Sequence, residues 1–192
     1  MPGALQQVQP VPNTGWDERI HAFQYGRLVT VFAIVSARYV VLIDTLLNRH
    51  AAAAVLASVR NQLTDRQLLV INTHADWDHC WGNGVFDGPE AMYHAPIIAH
   101  QLCRERILSS ESCAELAQMQ HEAPEGFGDV LLVPPTIVFN NTLVIDGGDL
   151  TLELIHTPGH QPDHSSIYIP EIRTLFVGDA AEQPIPYLAD FA

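Results

Sequence analysis

Residues 71–83 hold four side chains able to bind a metal: His74, Asp76, Asp78 and His79. They follow the apolar run 68–71, which predicts a short buried strand. The loop therefore leaves the carboxyl end of a strand, where open α/β sheets place their active sites. In an extended loop His74, Asp76 and Asp78 alternate and point one way, while His79 breaks the alternation and reaches a second point nearby. Two imidazoles and two carboxylates suit one or two divalent metals. The alternative is that these residues only cap the following helix, since Asp is a common N-cap. That leaves the two His and the flanking Trp77 and Trp81 without a purpose.

Two more strand ends carry ligand types. Residues 150–155 read as a strand running into His156-Thr157-Pro158-Gly159-His160-Gln161-Pro162-Asp163-His164. Pro158-Gly159 forces a tight turn that presents His160 on the face of the first loop. His164 is a candidate substrate-facing or supporting group, and His156 reads as structural. Residues 174–177 form a further apolar strand that ends in Gly178-Asp179, adding one more carboxylate.

The rest of the chain must bring these ends together. Its 192 residues suit one domain, and 47% hydrophobic against 16% charged residues is enough to bury a core. The net charge is −13, and all nine basic residues are Arg. Such a surface repels phosphate backbones, so no nucleic-acid partner is expected, and catalysis by Lys is excluded. No apolar run is long enough to span a membrane. No secretion signal stands at the N-terminus, and three cysteines without framework spacing fit a reducing cytoplasm. The expected partner is a small-molecule substrate, with a homo-oligomer possible.

In chain order, residues 1–15 read as an extended or disordered lead-in, rich in Pro and Gln. Residues 27–36 and 39–44 predict a hairpin, with Asp44 bracing a loop at its end. Residues 50–63 predict a helix, completing a βαβ unit with the strand at 68–71. Beyond the metal loop, 91–94 reads as a short strand and 96–109 as a helix begun by Pro96. Residues 111–122 continue as helix. Residues 136–139, 141–145 and 150–155 read as strands, with Asp146-Gly147-Gly148-Asp149 turning between the last two.

His74-Ala75-Asp76-Trp77-Asp78-His79, Thr157-Pro158-Gly159-His160 and Phe176-Val177-Gly178-Asp179, in this order, resemble the three motifs of the metallo-β-lactamase-fold hydrolases. The resemblance implies an α/β (α+β) fold, an αββα sandwich spanning residues 16–192, with metals at one edge between the sheets. It implies that His74, Asp76 and His160 hold a first divalent metal, that Asp78 and His79 hold a second, and that Asp179 bridges both. Zinc is the first choice. A water or hydroxide between the metals would be the nucleophile, with Asp78 orienting it and taking its proton.

Two departures follow. Asp76 stands where the family has a second His, and a harder, charged ligand admits manganese or iron. The family's last ligand, a His some tens of residues past the bridging Asp, has no counterpart, because no His follows His164. The expectation is a C-terminally incomplete domain. The function so implied is hydrolysis of a small ester, thioester, lactone or related bond. The alternatives are a non-catalytic binding module on the same fold, and a non-haem iron oxygenase or redox protein.

Overall fold

Alternate residues of the central strands face two different cores, and this makes their sequences continuously apolar. In the computed structural model, which describes residues 6–181, strand β4 (Tyr39–Ile43) sends Val40 and Leu42 into a helix-covered core and Val41 and Ile43 into a core between two sheets. Strand β5 (Gln67–Ile71) repeats this with Leu68 and Val70 against Leu69 and Ile71. A strand buried on both faces reads as such an apolar run. Residues 1–5 of the expected lead-in lie outside the described residues. So do the residues after Ala181.

The first sheet runs β1 (Val8–Val11), β2 (Ile20–Tyr25), β3 (Val29–Val35), β4, β5, β6 (Ile97–His100) and β7 (Ile137–Phe139), in sequence order. Pairing is antiparallel up to β4 and parallel from β4 to β7. The parallel strands therefore end at one edge. Helix α1 (Arg49–Val59) is the crossover between β4 and β5, its first turn capped by Asn48. A short α2 (Trp77–Cys80) follows β5. Helices α3 (Gln101–Ile107), α4 (Ser110–Glu122) and α5 (Pro124–Phe127) link β6 to β7. The second sheet is antiparallel, with β8 (Thr142–Asp146), β9 (Thr151–His156), β10 (Ser165–Ile169) and β11 (Thr174–Phe176) in the order 11-10-9-8.

Buried residues of α1 and α3 and Leu116 of α4 pack on the first sheet, while Leu152, Leu154, Ile167 and Ile169 of the second sheet pack on its other face. The layers among the described residues are thus helix, sheet, sheet. The second sheet's far face leaves Val144 and Leu175 exposed.

Four strands differ from the sequence reading. The strand expected at 91–94 lies instead at β6, inside the expected helix 96–109. Pro96 looks like a helix start, yet Ile97, Ile98 and Ala99 fill the gap between β5 and β7 and are wholly buried there. Tertiary pairing outweighs the local signal. Val8–Val11, within the expected lead-in, is an edge strand, where Pro10 is tolerated because its missing donor can face outward. β2 and β10 were not anticipated.

His100, at the end of β6, stacks on His156 of β9 with ring centroids 3.7 Å apart. Its Nδ1 accepts from the Leu102 amide at 3.2 Å and its Nε2 donates to Asn140 O at 2.6 Å. Both ring nitrogens are committed in the neutral form. Burial, helped by His156, lowers its pKa, against the Asn140 bond and the Glu105 and Asp163 carboxylates. A base depressed in the folded state favours folding above its unfolded value of about 6.5, and stability falls as pH drops through the lower folded value. Urea midpoints should therefore fall between pH 7.5 and pH 5, and His100→Asn should flatten that slope.

Candidate metal centre

Asp44 follows β4 with a positive φ of 65°, a conformation that Asp tolerates better than most residues. There its carboxylate accepts the Thr73 amide at 2.7 Å, the Thr73 hydroxyl at 2.7 Å and His79 Nδ1 at 2.8 Å. The Thr73 hydroxyl has a single proton, which it gives to Asp44. His74 Nδ1, 2.9 Å from Thr73 Oγ1, must then be the donor in that pair. Both imidazoles are held by Nδ1, so Nε2 of each faces the site as a metal ligand would. Neither Nε2 has an aligned hydrogen-bond partner, although both are buried.

The residues named from sequence converge. Asp76 Oδ2 lies 3.4 Å from His74 Nε2 and 3.3 Å from His160 Nε2. Asp179 reaches His79 Nε2 with Oδ1 at 3.1 Å and His160 Nε2 with Oδ2 at 3.7 Å. Asp78 Oδ1 is 4.0 Å from His79 Nε2. Ligand atoms of His74, His160 and Asp179 all lie within 4.8 Å of one another. Ligands about 2.1 Å from a tetrahedral ion sit roughly 3.4 Å apart, so these edges fit metal coordination. The loop is not extended throughout: it is extended to Asp76, and α2 carries Asp78 and His79. Asp76 occupies the N-cap position of α2 without capping it, so the helix-cap alternative fails for its side chain.

A brace that sequence reasoning missed holds Asp76. Arg106 of α3 donates from Nη2 to Asp76 Oδ1 at 2.7 Å and from Nη1 to Asp163 Oδ1. Asp163, fully buried, accepts the Ala75 amide at 2.8 Å, and Gln161 donates to Asp76 Oδ2 at 2.9 Å. Burial would raise the Asp76 pKa, but His74 and Arg106 together push it well below the usual carboxylate range. Burial raises Asp78, and His79 offsets only part of that. Burial opposes charge on His79, yet the Asp44 and Asp179 carboxylates hold its pKa well above the ordinary value.

Of the two roles expected of His164, substrate-facing or supporting, its position fits the second. It is fully buried, its Nδ1 within 3.2 Å of the Thr157 carbonyl, and burial followed by His74 lowers its pKa to about 4. It supports the His74 ring from beneath, 5.5 Å away. Gly178 lies against it: a Cβ there would come 2.9 Å from His164 Nε2 and 3.1 Å from Thr73 Oγ1, at a φ of 46°. Only glycine lets Asp179 approach this closely. Cys80 is buried, and burial above all raises its thiol pKa. Trp81 is core, packed edge-on to Phe127.

No helix among the described residues is long and apolar enough to cross a membrane. The chain is 26% identical over 169 residues to the acyl-coenzyme A thioesterase MBLAC2 of Bos taurus, covering 82% of this chain and 60% of that protein. It is 27% identical over 127 residues to a putative transcription factor, avaE, of Aspergillus versicolor, covering 61% of this chain and 34% of that one. The chain thus spans between a third and three-fifths of the length of these relatives. Among solved structures, the BLEG-1 B3 metallo-beta-lactamase superposes with a TM-score of 0.63 at 20% identity, over 96% of this chain and 77% of that one. A metallo-beta-lactamase with a HARLDQ motif from Cronobacter sakazakii gives 0.58 at 21%, over 86% and 55%. The family model of the metallo-beta-lactamase superfamily matches residues 25–192, and the chain belongs to that superfamily.

Proposed function

We propose that the chain is a metal-dependent hydrolase of a small ester, thioester or lactone, with thioesters first because of the likeness to an acyl-coenzyme A thioesterase. The observation that carries this reading is the convergence of His74, Asp76, His79, His160 and Asp179 from three distant strand ends, with ligand atoms at the spacing a bound ion sets. In this reading His74, Asp76, His160 and Asp179 would hold a first divalent metal, and Asp78, His79 and Asp179 a second. Zinc is the first choice, and the Asp76 carboxylate admits manganese or iron. When bound, the metals acidify a water and polarise the scissile carbonyl.

The chain's own groups do the rest. Asp44 and Thr73 fix the imidazole tautomers, and Arg106 and Gln161 stop Asp76 from turning. Asp78, whose carboxyl burial raises toward a useful general base, orients the attacking water and takes its proton. The new bond joins the water oxygen to the acyl carbon, and the proton passes to the departing thiol or alcohol. A cytoplasmic setting suits the three free cysteines.

Purified protein is expected to carry metal near stoichiometrically and to hydrolyse acyl thioesters or esters, with loss on exhaustive chelation and recovery on zinc. Elemental analysis beside a thioester, ester and lactone panel checks this. Full activity after chelation overturns the proposal. Metal uptake without turnover would favour a binding module.

A further inference from the structure

We propose that the cavity beside Trp77 is the berth for the substrate's apolar acyl arm, making the substrates of the neighbouring centre acyl compounds with an uncharged hydrocarbon chain. This rests on the hydrolase reading above. The cavity measures about 420 Å³, within the range of small-molecule sites. Leu28, Leu47, Trp77, Met119 and Phe127 are its main apolar walls.

Position ties it to the metal centre. Trp77 lies between Asp76 and Asp78 in the chain, and its ring stands 5.9 Å from that of Phe127. Leu47 and Asn48 lie on the segment that leaves Asp44, and Asn48 Nδ2 donates to Gly126 O at 2.9 Å, tying that segment to α5. Leu28 belongs to the β2–β3 turn. β3 runs antiparallel to β4 with Phe32 opposite Ile43, so β3 begins beyond the end of β4. The turn therefore stands at the sheet edge that carries the metal loop. There Leu28 is 50% exposed, an apolar side chain set at the mouth of an apolar hollow.

Charge chooses the occupant. Glu122 and Glu125 are the charged residues of the lining, and no Arg or His joins them. A phosphate or carboxylate placed there would meet like charge without a partner, whereas a hydrocarbon gains from leaving water. The acyl arm, not a phosphate-bearing leaving group, is the part that fits.

The test pairs turnover with binding. With zinc-loaded protein, kcat/KM for p-nitrophenyl octanoate should exceed that for the acetate by at least about tenfold, since each buried methylene contributes up to roughly fourfold. Leu28→Asp, at an exposed turn, and Met119→Trp should each cut the octanoate-to-acetate ratio at least fivefold, with thermal midpoints confirming that both fold. A wild-type ratio near one, or a ratio unmoved by both folded variants, overturns the berth while leaving the hydrolase intact. If no ester or thioester is turned over, the hydrolase reading fails separately, and the cavity is judged by N-phenyl-1-naphthylamine. Saturable binding of this neutral probe, displaced by decanol and weakened in both variants, supports it; absence of binding overturns it.

Discussion

Asp78→Asn is expected to lower kcat/KM by about 10²- to 10⁴-fold, the usual worth of a positioned general base. Asparagine keeps the shape of the side chain and one oxygen that can face the centre, but cannot accept the water's proton. Asp78 sits in the first turn of α2, partly buried, beside the strongly paired His79 and Asp179. No Arg holds it, so its loss strands no partner. Far-UV circular dichroism and the urea midpoint should stay near wild type, and bound zinc should fall by no more than one ion per chain. Near-normal turnover in this variant would remove Asp78 from the chemistry.

Arg106→Leu should cost about 3 kcal/mol of unfolding free energy, toward the low end of values for a broken buried pair because Arg106 is about one-third exposed. The cost arises at Asp163, which is fully buried and would lose the guanidinium that pairs with it. Adding Asp163→Asn should recover more than half of the loss, since the amide oxygen still accepts the Ala75 amide. Metal affinity should behave differently. Freed from Arg106, Asp76 can turn away from His74 and His160, and zinc affinity should fall about 10- to 100-fold in both the single and the double variant. Equilibrium dialysis beside urea unfolding separates the two effects. A double variant that regained metal affinity would show that Arg106 acts through stability alone.

The convergence of the candidate ligands could be read from the sequence because each lies just after an apolar run, and strand ends place such residues at a shared edge. The parallel β4 and β5 were visible for the same reason: both faces are buried, so their runs are unbroken. The supports of the site were only partly legible. Asp44 was expected to brace a loop, and it does so by gripping Thr73 and His79. Arg106 and Asp163 stand 57 residues apart, and nothing near either one marks a partner at that distance. His164 could face substrate or support the site as far as its place beside a turn showed, and its ring packs against His74. The strand β6 was hidden because Pro96 imitates a helix start, whereas the pairing that makes it a strand comes from β5 and β7.

The candidate ligands Asp76 and His160 belong to loops of two different sheets and are 84 residues apart in the chain. During synthesis the histidines beside Asp76 must therefore wait at an open sheet edge until the second sheet emerges and docks. Contacts of such long range form late and slow the search. An ion captured there would act as a clasp between the layers. At a thousand times its dissociation constant it would add roughly 4 kcal/mol to their cohesion, so zinc supply would govern how long a finished molecule survives as well as whether it works.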